Sequence, residues 1–234
     1  MAAATTEYDR LLTLLRSLDD SDWHRPTDCG EWDVRQVVAH LVGAAESTAR
    51  IGELVRQARR GRQLRPGEPT VDGMNAVQVS ERADVPPAAL VADLARAGAA
   101  GVRSRRRIPA VLRAVPLPFG PPLGVRRLGY LMDRIYTRDA WMHRIDLAAA
   151  TGRDLVVTAD HDGALVADVV DEWTARHDRP YTLVLTGPAG GTWQRGPADA
   201  AATHDTLELD AVEFVRLLSG RGHGAGLLAL TVPF

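Results

Sequence analysis

The sequence predicts an α+β protein, with a helical bundle over residues 1–151 and a smaller mixed α/β domain over 152–234. Through the first part, apolar residues recur at alternating spacings of three and four, the signature of amphipathic helices. After Gly152 the pattern changes to short apolar runs separated by glycine-rich turns, which read as strands. A chain of 234 residues that is 45% apolar can build one large core or two modest ones.

Residues 5–18 read as a first helix, with Leu11, Leu14, Leu15 and Leu18 on one face. A polar, turn-rich segment containing Pro26 and Gly30 follows. The next helix starts at a capping box, Asp33 with Gln36 three residues on, and is expected to run to about Arg60. Gly61 and the stretch "LRPGEPT" predict a loop. A third helix is expected over about 74–83. A fourth starts at Pro86–Pro87 and continues through "AALVADLARAGAAGVRSRRR", with proline in its first turn. "VPLPFGPPLG" reads as a long connection, and a last bundle helix is expected from about Val125 to Ala150. Beyond it, "DLVVT", "YTLVLTGPAGGTWQRG", "TLELD" and "GLLALTV" are strand candidates, and residues 159–177 and 210–219 read as helices.

The net charge of −2 argues against a nucleic-acid or anionic-membrane partner, and all 28 basic residues are arginine. Cys29 is the only cysteine, which excludes an internal disulfide and a cysteine-rich zinc site and fits a reducing compartment. The N-terminus lacks the charged and apolar regions of a signal peptide, and no window reaches the roughly 18 apolar residues of a membrane span. A soluble, cytoplasmic protein is expected.

The expected helix over 125–150 carries an anomaly. At about 100° per residue, Leu128, Leu131, Met132, Ile135 and Met142 share a face with Asp139, His143 and Asp146. An ionised carboxylate buried in an apolar stripe without a partner costs several kcal/mol. Asp139 and His143 are four apart and so are neighbours on the helix surface, a spacing suited to two metal ligands. His40, beside the apolar stripe of Val34, Val37, Val38 and Leu41, is the candidate third ligand. Three protein ligands leave a coordination position open, as catalytic sites do. Spacing alone leaves a second reading: His40 as a hydrogen-bonded core histidine, and Asp139 with His143 as a local pair. Asp146 fits a partner of His143 outside the ligand set, or of an arginine at the helix end.

The remaining candidates read as structural. His24, His161, His177, His204 and His223 are expected on loops or polar surfaces. The arginine runs at 59–62 and 103–107 are expected to be solvated helix ends, although such a run can steer an anionic ligand. Trp23, Trp32 and Trp141 read as packing anchors, and Cys29, with no base adjacent in sequence, reads as structural.

The stretches "DWHRPTDCGEWDVRQVVAHLVGAAE" and "YTRDAWMHRIDLAAATGR" resemble the mycothiol-dependent maleylpyruvate isomerase family, part of the DinB-like superfamily of metal-binding four-helix bundles. The ending "FVRLLSGRGHGAGLLALTVPF" is similar to that family's C-terminal domain, so the resemblance covers nearly the whole chain. It implies a metal site made of a histidine in the "VVAHL" position and an acidic-x-x-x-His pair, which map onto His40, Asp139 and His143. Where the isomerase proper carries Glu, this chain has Asp139, shorter by one methylene.

The resemblance also implies a mechanism. A divalent metal holds the thiol of mycothiol as its thiolate, which adds to an electrophilic, conjugated double bond. Zinc is the first choice, and nickel or iron also suits two histidines and a carboxylate. In an isomerase the bond rotates and the thiolate leaves; in an S-transferase the adduct stays. The implied partners are a small-molecule substrate and a low-molecular-weight thiol, and the oligomeric state is unspecified. Arg221 in "LLSGRG" is the candidate for a substrate carboxylate, which would set the active site in a cleft between domains; its alternative is a solvated loop arginine. Two other functions stay open: an iron enzyme built on a two-histidine, one-carboxylate triad, and a non-catalytic metal- or small-molecule-binding module.

Overall fold

The first helix, α1 (Ala2–Arg16), buries Tyr8, Leu11, Leu12, Leu14 and Leu15, the face that its leucine spacing defines. The computed structural model describes residues 1–30, 32–118, 123–196 and 205–234, which form two compact units, Met1–Leu155 and Val156–Phe234.

Helix α2 (Val34–Ala49) starts at the capping box: the Asp33 carboxylate accepts from the Gln36 amide at 2.8 Å, and the Gln36 side chain accepts from the Asp33 amide at 3.0 Å. It ends earlier than the apolar pattern suggests. Arg50 is extended (φ −141°, ψ 120°), and a separate helix α3 (Ile51–Leu64) follows. No proline or helix-ending glycine stands at position 50, so tertiary packing, not local sequence, sets this break. Helix α3 pairs with α4 (Thr70–Ser80), which begins four residues before its expected start. The two cross where backbone meets backbone: a Cβ on Gly61 would lie 2.5 Å from the Gly73 carbonyl carbon. Helix α4 also packs on α2.

Helix α5 (Pro87–Arg107) has proline in its first turn. A short helix α6 (Ala110–Arg113) leads into an antiparallel ribbon of β1 (Pro116–Pro118) and β2 (Val125–Arg127). Part of the expected connection is therefore strand, and the last bundle helix starts after Arg127 and not at Val125. Residues 119–122 of that connection lie outside the described residues. Wide π-type turns over Tyr130–Ile135 run into α7 (Tyr136–Thr151), which ends at Gly152 in the left-handed conformation (φ 65°). Helices α1, α2, α5 and α7 form a four-helix bundle. Its core includes Leu11, Val34, Val38, Leu41, Leu90, Leu94 and Leu147.

The second unit has a three-stranded sheet in the order β4-β3-β5. The central strand β3 (Tyr181–Thr186) pairs antiparallel with β4 (Gly191–Arg195) and parallel with β5 (Asp205–Asp210). Tyr181, Leu183 and Leu185 alternate inward, as a half-buried strand requires. Helices α8 (Ala164–His177) and α9 (Ala211–Leu218) supply Val166, Val169, Val170, Trp173, Phe214 and Val215 to the core. Two strand expectations are corrected. "DLVVT" pairs with no strand among the described residues, and "GLLALTV" makes a 3-10 turn over Gly226–Ala229. That turn presents the Leu227 carbonyl to the buried indole N–H of Trp173 at 3.0 Å, a partner that Trp173 needs more than the sheet needs a further strand. Among the described residues, no helix is long and apolar enough to cross a membrane.

The glycine crossing makes a testable demand. Gly73→Ala would put a Cβ 2.8 Å from the Gly61 carbonyl carbon, with backbone on both sides and no side chain to yield. We expect a loss of about 1–3 kcal/mol in urea unfolding, the usual cost of overpacking. An unchanged midpoint would show that the crossing is loose.

Candidate metal centre

His40 on α2 and the pair Asp139 and His143 on α7 converge inside the first unit. Both imidazoles turn Nε2 toward one oxygen: His40 Nε2 lies 3.4 Å and His143 Nε2 3.5 Å from Asp139 Oδ1. One potential ligand atom from each of the three lies within 4.8 Å of the others. Both histidines are buried, whereas the Asp139 side chain keeps 21% of its surface exposed. The Trp32 ring stands 5.1 Å from that of His40 and 6.5 Å from that of His143, forming one wall.

The outer nitrogens are tied back as well. His143 Nδ1 is 3.0 Å from Asp146 Oδ2, and Asp146 is fully buried. An ionised carboxylate can only accept, so His143 carries a proton on Nδ1, and Nε2 is the nitrogen directed inward.

For His40 the orientation comes through two glutamines. Gln57 Nε2 lies 3.0 Å from the Gly43 carbonyl and 2.9 Å from Glu53 Oε1. Both are acceptors only, so the Gln57 amide group must point there and its Oε1 must face the other way. That oxygen accepts from Gln78 Nε2 at 2.8 Å, which turns Gln78 Oε1 onto His40 Nδ1 at 2.7 Å. His40 must then donate from Nδ1, which leaves Nε2 as the nitrogen turned toward Asp139. The Gln78 side chain is itself fixed against α2, since a Cβ on Gly43 would sit 2.4 Å from its Cγ.

Electrostatics follow the same pattern. Burial pushes the Asp139 carboxyl up, but the His40 charge and hydrogen bonds from both histidines outweigh it and hold the group well below the usual carboxylate range. Burial pulls His143 down, but its bonds to Asp139 and Asp146 outweigh that and raise it to about 9. Two imidazole nitrogens and a carboxylate oxygen, each histidine braced on its far side, fit a divalent transition ion.

The other sequence candidates are distributed differently. Arg221 lies in the second unit, partly buried in the turn after α9, with Nη1 3.4 Å from the Ser219 carbonyl. Trp23 and Trp141 are buried, and Trp32 walls the site beyond its expected packing role. Cys29 lies with His143 and Asp146, its sulfur within 4.8 Å of a ligand atom of each. His24 and His223 are exposed, and His204 lies outside the described residues. His161 is buried, contrary to expectation, and His177 packs on Trp173 with ring centres 4.4 Å apart. Arg105, in the run expected to be solvated, is buried in the bundle. Gln57 and Gln78 escape a search for ligand-type residues; the available signal is a lone amide in each of two helix faces turned inward.

Two outcomes are expected. Gln78→Leu should keep the fold and weaken zinc binding by about 10–100-fold in a competition titration, the usual cost of removing such a partner; unchanged affinity would show that the amide chain is ornamental. The second concerns pH. A folded pKa of about 9 for His143, above its ordinary value of 6.5, gives the metal-free fold stability that is complete below pH 6.5 and lost as pH rises through 9. Melting of chelator-treated protein should therefore fall over that window, and the fall should flatten in His143→Gln.

The site sits in a recognised setting. The family model described as the mycothiol maleylpyruvate isomerase N-terminal domain matches residues 4–148. Two proteins of Mycobacterium tuberculosis described as uncharacterized, from two strains, are each 27% identical over 221 residues, covering 86% of this chain and 78% of theirs. Crystal structures of the mycothiol-dependent maleylpyruvate isomerase and of a histidine-to-alanine mutant of it superpose with a TM-score of 0.60 at 14% identity, over 94% of this chain and 88% of theirs. The fold is thus α+β, a four-helix bundle with a smaller mixed α/β domain. The chain belongs to the mycothiol maleylpyruvate isomerase family.

Proposed function

We propose that this protein is a metal- and mycothiol-dependent enzyme, an isomerase or S-transferase acting on an electrophilic, conjugated carboxylate. The observation that carries the reading is the convergence of His40, Asp139 and His143 on α2 and α7, in a chain of this family. A divalent ion, zinc first, would supply one thing: it would hold the cofactor's thiol as a thiolate at neutral pH, ready for a conjugated double bond.

The chain's own residues would do the rest. His40 and His143 would offer Nε2 lone pairs held in place by Gln78 and Asp146. Asp139 would add the negative charge that favours a cation. Trp32 would shield one side from water. Arg221, whose fork suits a carboxylate, would bind the substrate's anionic group.

Metal analysis of purified protein, then mass spectrometry after incubation with mycothiol and a panel of electrophiles, tests this. We expect about one divalent ion per chain, loss of most of it in His143→Ala, and turnover that requires both metal and thiol. Cys29→Ser should retain turnover, because the reacting sulfur is the cofactor's. Arg221→Ala should lower the rate on a carboxylate substrate by more than it lowers metal content. Turnover independent of thiol but abolished by Cys29→Ser would replace this chemistry with a protein-borne nucleophile. No turnover with any thiol would leave a binding module.

A further inference from the structure

Arg105 on α5 is 1% exposed. Its Nη1 donates to the Met132 carbonyl at 3.0 Å, while Nε and Nη2 have no hydrogen-bond partner among the described residues. Those two nitrogens make one edge of the guanidinium. Their N–H bonds run parallel, spaced to grip both oxygens of a single carboxylate.

The same unit uses this edge twice elsewhere. Arg144 sets Nε and Nη2 on the two oxygens of Glu7, at 2.6 and 3.3 Å. Arg56 sets the same pair on Glu53, at 2.8 and 2.7 Å. Arg105 offers an equivalent fork, with no partner for it among the described residues. The neighbouring carboxylate Asp133 bonds to Arg113 instead. Burial pulls the Arg105 guanidinium below its ordinary pKa and outweighs the nearby Asp133 charge.

The position is informative too. The Tyr136 ring centre is 5.9 Å from the Arg105 guanidinium carbon, and the Tyr136 hydroxyl is 3.2 Å from Ser47 Oγ. Tyr136 precedes Asp139 by one turn of α7, and Ser47 follows His40 by two turns of α2. At 1.5 Å of rise per residue, the cation stands about 5–10 Å along these helices from the three-residue cluster. That is the length of a small organic acid.

The geometry points to Arg105 as a carboxylate-binding site inside the bundle, its Nε and Nη2 edge taking the anionic end of a small organic acid whose other end reaches the His40, Asp139 and His143 cluster. The reach to the cluster rests on the function proposed above; the anion site does not.

The test uses the full chain, with fumarate as probe and its uncharged dimethyl ester as control, by calorimetry and thermal melting on chelator-treated and zinc-loaded protein. Fumarate should bind the metal-free protein and raise its melting temperature, and the diester should do neither. Arg105→Met should still melt cooperatively, since it exchanges a buried charge for an apolar stem, but bind fumarate at least ten-fold more weakly. Arg105→Lys, which keeps charge but not the fork, should fall between. Fumarate binding that is unchanged in Arg105→Met, or that follows the metal and ignores Arg105, overturns the site. So does an unfolded Arg105→Met beside an Arg105→Lys that binds like wild type, which would assign Arg105 to the Met132 carbonyl alone. Thiol-dependent turnover absent throughout, with Arg105-dependent binding intact, would sink the enzyme reading and leave the site standing.

Discussion

A histidine that is to offer one nitrogen must have the other held, and much of the first unit serves that constraint. The chain of acceptors and donors from the Gly43 carbonyl through Gln57 and Gln78 to His40 has one direction, because its origin can only accept. It needs α3 and α4 at a fixed separation, which the Gly61–Gly73 crossing provides. It also needs α2 to begin in register, which the Asp33–Gln36 box provides. The outer end is anchored by charge, since Arg56 bridges Glu53 and Glu81. A surface ion pair of this kind adds little stability alone, but here it borders the amide that starts the chain.

Charge inside the bundle obeys a related rule. Helix α7 is enclosed on most of its circumference and still carries Arg138, Asp139, His143, Arg144 and Asp146. Such groups are tolerable only with partners. Arg144 has Glu7 on α1, a pairing that joins the first and last bundle helices, and His143 stands between two carboxylates.

Those same facts explain what the sequence discloses. The bundle, the capping box and the change of pattern after Gly152 are local features, and local features are readable. The pairing of Asp139 with His143 is readable because helical geometry makes residues four apart neighbours. Gln57 and Gln78 are not, because their meaning lies in contacts across 21 residues of chain and two helices. The break at Arg50 and the turn at Leu227 are decided by what packs against them, which periodicity does not encode. Arg105 is misread for a different reason. A run of arginines at a helix end is ordinarily solvated, and only the fold reveals that one member of the run turns inward.

The residues of the candidate centre come from opposite ends of the bundle's chain: His40 and Asp139 are 99 positions apart. A chain emerging from the ribosome has His40 long before it has α7, and a lone imidazole is a poor competitor for metal. Closing so long a loop also carries an entropic cost that grows only slowly with length. An ion that bridges α2 and α7 would bind the completed bundle and not its fragments, and would stabilise that state by mass action. Metal capture of this kind would have to wait for α7 to emerge and pack on α2. It would register that the first and last parts of the domain have met.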